Sequence, residues 1–324
     1  MVKRFFLFLC LIVFPFLSLS AQVLTATSSI NWNTREFVSD INLDLQAAGF
    51  KMPSGRNAAE NKIKQQLPAL IKSPLLGIPV DNATLLGDTI LLNYMSLEDL
   101  TQIVDDSSDR PGIYSGKTDS ISLANTIELT TIAALMIKHQ TPYQLSIPIE
   151  KVSSREFTGI IIDMREKLPV HGEFVSDYAV PCFFPKIYDE QMNLIYERNM
   201  TDPVIAKKSG IVQYTDSLNE KNYENRIGQR PLRITARKVF GVNRTDPIIT
   251  RNDALKILSK HENLQLLKDG RIVFLLHKDS LVYKATAPLK DIPYYFAYER
   301  IQEDFTKQKL HDVSVSDSPK GILI

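Results

Sequence analysis

Once the apolar leader of this 324-residue chain is set aside, a single cysteine remains, Cys182. No intrachain disulfide can form, so burial and hydrogen bonding must hold whatever fold it adopts. In the leader, Lys3 and Arg4 form a charged start, an apolar run extends from Phe5 to Leu17, and the small residues Ser18, Ser20 and Ala21 close it. That is the three-part pattern of a cleaved secretory signal. The run is broken by Pro15 and is shorter than the roughly 20 apolar residues of a membrane span. The pattern predicts export, with cleavage near Ser20 or Ala21. Lipid attachment would need a cysteine directly after the run, whereas Cys10 lies inside it, and cleavage there would leave only Phe5 to Leu9 as an apolar core.

Without Lys3 and Arg4, the 38 basic and 37 acidic residues become 36 and 37, so the processed chain is close to neutral. Nucleic-acid binding needs a basic field that this balance does not supply, and no polybasic cluster marks an anionic lipid surface. An apolar fraction of 44% and a charged fraction of 23% are those of a folded globular protein.

Along the first half, Phe37, Ile41, Leu43 and Leu45 alternate with polar positions and predict a half-buried strand over Arg35 to Leu45. After the breaker Pro53-Ser54-Gly55, the spacing of Ala59, Ile63, Leu67, Leu70 and Ile71 predicts a helix that Pro68 should kink or end. Ser96 and Asp99 form a capping box ahead of Leu100, Ile103 and Val104, which predicts a short helix. A strand through Ile121, Leu123 and Ile127 and a helix over Thr130 to Lys138 follow. Beyond Gln144 the texture changes to short apolar runs punctuated by Pro, Gly and Asp. Predicted strands there are Leu145 to Ile149, Phe157 to Ile162, Cys182 to Tyr188, Leu194 to Glu197, Ile211 to Tyr214, Leu232 to Phe240 and Arg271 to Leu276, with one helix from Asn252 to Leu267 capped by Thr250. A last amphipathic helix is predicted through Tyr294, Tyr298, Ile301 and Phe305.

Few residues are patterned for chemistry. Gly112-Ile-Tyr-Ser-Gly116-Lys117-Thr118 is one residue short of a phosphate loop and has a strand, not a helix, after it, so its glycines read as turn residues. Asp105 to Asp109 places carboxylates as calcium loops do, but without the central glycine and closing glutamate, and reads as a solvated acidic loop. The five histidines, His139, His171, His261, His277 and His311, show no zinc spacing, and no metal or cofactor is expected. No nucleophile elbow occurs, and Cys182 sits in an apolar stretch that disfavours a thiolate. The one acid/base candidate is His171, in the loop from Leu168 to Glu173 after a buried-looking strand. With Asp163, Arg165 and Glu173 it could form a cluster for hydrolysis or ligand binding. A structural reading of the same residues is favoured: Gly159 marks a bulge or close packing, Ile160 to Ile162 a buried run, and Asp163 with Arg165 a turn-forming charge pair.

The segment Phe157-Thr-Gly-Ile-Ile-Ile-Asp-Met-Arg165 resembles the Tyr-Thr-Gly-Leu-(Ile/Val)-(Ile/Val)-Asp-Ala-Arg signature of the Lpp-twenty family, bacterial membrane-associated lipoproteins that include the flagellar protein FlgP. In the same order, Phe184 to Glu190, Ser209 to Tyr214, Arg226 to Leu232 and Asn243 to Ala254 are similar to its further elements, so the resemblance covers Glu156 to Leu276. It implies an α+β envelope protein that assembles in the periplasm or at the outer membrane, with envelope or flagellar proteins or copies of itself as partners, peripheral to the membrane, and with no catalytic residues to carry over. The departures are the missing lipidated cysteine, Glu166-Lys167 in place of a glycine, and the extra tail after Lys278.

The sequence therefore predicts an α+β protein of two lobes with a mixed β-sheet and few helices. Its segments are a signal over 1–21, an N-terminal α+β region over 22–141, a second α+β domain over 142–277 and an extension over 278–324. The expected function is non-catalytic assembly in the envelope, motility-associated. The alternative is a periplasmic hydrolase or ligand-binding module that uses the loop from Asp163 to Glu173.

Overall fold

A computed structural model of the chain describes residues 23–150 and 152–286. The segment expected to be a signal, residues 1–21, and the predicted helix through Tyr294 to Phe305 lie outside these. Among the described residues no helix is long and apolar enough to cross a membrane.

The first lobe is an antiparallel sheet with helices on one side. Strands β1 (Leu24–Asn31) and β2 (Glu36–Asp44) form a hairpin in which Asn31 faces Glu36. The alternation expected of β2 holds. Phe37, Ile41 and Leu43 are buried, and the one polar side chain on that face, Ser39, is satisfied by the Ser28 hydroxyl at 2.7 Å. Helices α1 (Leu45–Ala48), α2 (Arg56–Leu76), α3 (Leu86–Leu91) and α4 (Leu97–Asp105) follow, then short strands β3 (Ser108–Asp109) and β4 (Ile113–Ser115), strand β5 (Ser120–Glu128) and helix α5 (Leu129–Leu135). β5 pairs with β2 along its full length and carries β3 and β4 on its outer edge. The Gly112 to Thr118 stretch is thus a strand and turn between β-elements. The Ser96–Asp99 capping box is present, with the Asp99 amide donating to Ser96 Oγ at 3.0 Å and the Ser96 amide to Asp99 Oδ2 at 3.1 Å.

Helix α2 does not stop at Pro68; it runs through Pro68 and Pro74 to Leu76. A proline inside a helix costs about 3 kcal/mol. Here Ile63, Leu67, Ile71, Leu75 and Leu76 are all buried on the sheet, each contributing about 1.5–3 kcal/mol, and that burial outweighs the lost backbone hydrogen bond.

In the second lobe the expected single mixed sheet resolves into two. Its strands are β6 (Ile160–Met164), the short hairpin β7 (Leu168–Pro169) and β8 (Ser176–Asp177), β9 (Ile187–Asp189) and β10 (Leu194–Tyr196). After helix α6 (Pro203–Ser209) come β11 (Gln213–Thr215), helix α7 (Glu224–Ile227), β12 (Leu232–Thr235), β13 (Lys238–Phe240) and β14 (Asp246–Ile249). Helices α8 (Arg251–Leu258) and α9 (His261–Lys268) precede β15 (Ile272–Leu276). One sheet is all parallel, in the order β11-β15-β6-β12; the other is mixed, β10-β9-β14-β13. The parallel sheet is covered on both faces, as such sheets require. Ile161, Val273 and Leu275 pack against Tyr223 and Ile227, while Ile160, Ile162, Ile272 and Phe274 face the main core. Gly159 is close packing and not a bulge: it precedes β6, and a Cβ there would lie 2.5 Å from the Ile227 Cα.

Several predicted elements change at points with a local cause. The run Leu232 to Phe240 divides because the Ala236 amide donates to the Asp163 carbonyl in the parallel sheet while the next amide, that of Arg237, donates to Ile248 in the mixed one. The helix predicted from Asn252 to Leu267 is two, α8 and α9. Buried Asn263 ties their junction to the incoming strand, its Nδ2 donating to Arg155 and Lys256 carbonyls and its Oδ1 accepting from the Phe157 amide. Leu145 to Ile149 pairs with nothing; it contains Pro148, and Ile149 is fully exposed. Residues 182–184 form a bend, not the start of a strand, and dock on the first lobe, the Phe183 and Phe184 amides donating to the Pro79 and Val80 carbonyls.

The lobes share one core. Trp32, from the β1–β2 turn, stands edge-on to Phe183 and Tyr214, both ring centroids at 5.5 Å. After helix α10 (Lys278–Leu281) the chain returns to the first lobe as β16 (Val282–Lys284), antiparallel to β1, so the start of the segment beyond 277 completes the N-terminal sheet. Opposite, the turn at Gly241 meets the loop at Asn82. With φ +99° and a would-be Cβ 2.4 Å from Asn82 Cβ, only glycine fits there. Gly241→Ala is expected to destabilise the protein by about 3 kcal/mol through strain and overpacking, measured by urea unfolding; a cost under about 1 kcal/mol would contradict this packing.

Candidate functional site

In an open parallel sheet, ligands bind beyond the carboxyl ends of the strands. Asp163 lies at that end of β6, in register with Leu275 of β15 and Thr235 of β12. Its carboxylate is held by its own neighbour. Arg165 donates Nε to Oδ1 at 2.9 Å and its terminal nitrogen to Oδ2 at 2.6 Å, and the Arg165 amide adds a third bond at 3.2 Å. Partial burial pushes the Asp163 pKa up, but the hydrogen bonds and charge of Arg165 outweigh that and hold it below the usual carboxylate range. The group is therefore ionised near neutral pH with its lone pairs engaged, which suits neither a general acid nor a free base.

His171 and Glu173 belong to the β7–β8 hairpin beside the mixed sheet. The His171 amide donates to the Val239 carbonyl at 2.8 Å, and its ring stands edge-on to Phe240 at 5.9 Å. Glu173 accepts from Arg244 at 2.8 Å. Among the described residues, no hydrogen bond or ion pair joins either of them to Asp163 or Arg165. The proposed cluster of Asp163, Arg165, His171 and Glu173 thus falls into two separate ion pairs and an aromatic contact, because β6 and the hairpin feed different sheets.

A second group of side chains near the carboxyl end of β15 was not legible in the sequence. Lys167 Nζ stands 5.3 Å over the Tyr178 ring, and Tyr178 stacks on His277 at 4.4 Å. Lys167 and Tyr178 flank the β7–β8 hairpin and His277 follows β15 far along the chain, so no local pattern announces the group. Cys182 is fully buried, and burial pushes its thiol well up, which removes it as a nucleophile. Among the described residues, no three His, Cys, Asp or Glu side chains converge where a metal ion could sit.

Two fully buried aspartates have opposite electrostatics. Asp189 holds the β9–β10 turn, accepting from the Gln191 and Asn193 amides and from Arg251 at 2.8 Å; burial raises its pKa, but these partners more than offset that and lower it. Asp246 lies between the lobes, accepting from Asn82 Nδ2 at 2.7 Å, the Lys186 amide at 3.0 Å and Thr245 Oγ1 at 2.8 Å, with no cation bonded to it. There burial prevails and pushes its pKa up to about 6.

The sign follows from linkage. Between about 3.9, the value for an unfolded aspartate, and about 6, the folded protein holds a proton that the unfolded chain has released. Asp246 therefore favours folding at low pH, and its contribution declines as pH rises through that window. Asp163 and Asp189 act in the opposite direction, losing their contribution as pH falls below the normal carboxylate range. Relative to Asp246→Asn, the wild type is expected to gain about 2 kcal/mol on going from pH 7.5 to pH 4.5, measured by urea unfolding at both values. A gap independent of pH would contradict the burial of an unpaired carboxyl at this position.

No curated protein matches the chain. Two family models do, and each covers one lobe. Residues 23–135 are similar to the N-terminal domain of Treponema pallidum Tp0624, and residues 159–278 are similar to the second domain of the same protein.

Proposed function

We propose that this chain is an exported, non-catalytic assembly protein of the cell envelope, associated with motility. The observation that carries the reading is that its acid/base candidates do not converge: Asp163 accepts three bonds from Arg165, Glu173 is committed to Arg244, and the His171 ring stands edge-on to Phe240 with no bond to either carboxylate among the described residues. The signal pattern over residues 1 to 21 and the resemblance to the family that includes FlgP point the same way.

The surface also favours contact over turnover. At the tip of the β7–β8 hairpin, Phe174 is 109% and Val175 52% exposed, and Val242, on the turn bridged to the hairpin by the Glu173–Arg244 pair, is 75% exposed. Large apolar side chains held in water by rigid turns are the composition of an interface core. The occupant is an envelope or flagellar protein, or a further copy of the chain, met at the outer membrane or in the periplasm.

Crosslinking followed by fractionation tests this. The wild type is expected to co-purify with outer-membrane or basal-body material, and Phe174→Asp with Val242→Asp is expected to release it without changing the unfolding midpoint. Recovery of the wild type as a free monomer in periplasmic extract, or loss of a hydrolytic activity in His171→Ala with the fold intact, would overturn the proposal.

A further inference from the structure

Among the described residues, the parallel sheet has an unpaired edge at β12. At one end, β11 borders the returning helix α10; at the other, β12 is bonded only to β6. The Leu232 and Ala236 amides point inward, donating to the Gly159 and Asp163 carbonyls at 2.8 and 3.1 Å. By the two-residue alternation of a strand, the N–H and C=O groups of Arg233 and Thr235 point outward. Among the described residues, nothing bonds to these backbone groups. The strand has no proline between Leu232 and Thr235, and among the described residues no strand pairs with its outer side.

Its electrostatic surroundings are predominantly basic, with Glu220 and Glu156 as the nearby exposed or part-exposed acids. Arg155, Arg230, Arg233, Arg237 and Lys238 are all exposed on or beside this strand. Among the described residues, only Arg233 of these has a carboxylate partner, Glu220 at 2.6 Å. At the start of β12 an open groove of about 520 Å³ is floored by Phe157 and Leu232 and walled by Ser153, Ser154, Arg155 and Lys256. Arg155 lies over the Phe157 ring there, 5.3 Å from its centre.

Charge on an edge strand is also how proteins keep edges from pairing with one another. A predominantly basic guard repels basic strands and attracts acidic ones, so it biases which strand is admitted. We propose that the β12 edge is a docking site for an extended, acidic peptide segment of a partner protein, which adds as a fifth strand. Its backbone would pair with Arg233 and Thr235, its carboxylates would meet the exposed arginines, and one side chain would enter the groove over Phe157. This deepens the assembly reading by naming a partner's chemistry, and its test uses purified protein, so it can fail independently of where the chain resides in the cell.

The probe is a capped octapeptide of alternating Glu and Val, titrated into the full chain by calorimetry at low and moderate salt. The Glu–Val peptide is expected to bind, and the corresponding Lys–Val peptide is not. Arg230→Glu with Arg237→Glu should weaken binding at least tenfold. Thr235→Pro should abolish it, because proline removes an outward N–H while leaving the bonds to β6 in place. Should that variant fail to fold, a Glu–Val peptide N-methylated at alternate residues provides the same comparison on the wild type and is expected not to bind. No binding of the Glu–Val peptide, equal binding of the Lys–Val peptide, or undiminished binding with either the Thr235→Pro variant or the methylated peptide would overturn the proposal.

Discussion

The insertion of Trp32 between the lobes is the contact on which the arrangement turns. Its ring meets Phe183 and Tyr214 of the second lobe edge-on, its amide donates to the Leu281 carbonyl at 2.9 Å, and its indole N–H donates to the Tyr283 hydroxyl at 3.3 Å. A buried tryptophan contributes both apolar area and a satisfied polar atom. Because Leu281 and Tyr283 lie on the returning chain, the same side chain anchors β16 to β1. On the far side of Tyr214, the hydroxyl accepts from the Cys182 amide and donates to its carbonyl, holding the bent segment that reaches Pro79 and Val80. The core is thereby continuous from the first sheet to the parallel sheet without a disulfide.

Continuity has an electrostatic cost, which the protein handles differently at two buried carboxylates. Asp189 has Arg251 as a counterion and remains ionised. Asp246, hydrogen-bonded across the lobes to Asn82, has no ion pair among the described residues and only the charge of Lys186 nearby, so desolvation dominates. The interface is thus made of aromatic packing on one side and a neutralisable carboxyl on the other, with Gly241 admitting the two backbones between them.

The sequence made legible whatever depends on neighbours in the chain. The β2 alternation, the Ser96 capping box, the strand through Ile121 to Ile127 and the Thr250 cap on α8 all follow from spacings of four residues or fewer, and an α+β chain of two lobes follows from their distribution. What it concealed depends on distant partners. Pro68 stays helical because the α2 stripe is buried, and the run from Leu232 to Phe240 changes sheets at one peptide unit. β1 alternates Leu24, Ala26 and Ile30 with Thr25, Thr27 and Ser29, a weak signal that Ser28 interrupts on the inner face, and β16 gains its place by pairing with β1 and by its contacts with Trp32. The candidate site was half legible. Asp163 with Arg165 as a turn-forming pair was visible two residues apart, while the separation of His171 and Glu173 from them required knowing that the hairpin joins another sheet.

Because Trp32 is the only tryptophan, its fluorescence reports the junction of the lobes, whereas far-UV circular dichroism reports the helices and strands of both. Equilibrium unfolding in urea monitored by the two signals tests the continuous core most directly. A single shared core requires coincident transitions with one midpoint and one slope. A tryptophan transition that precedes the loss of secondary structure would mean that the lobes part before they unfold, and would contradict the account.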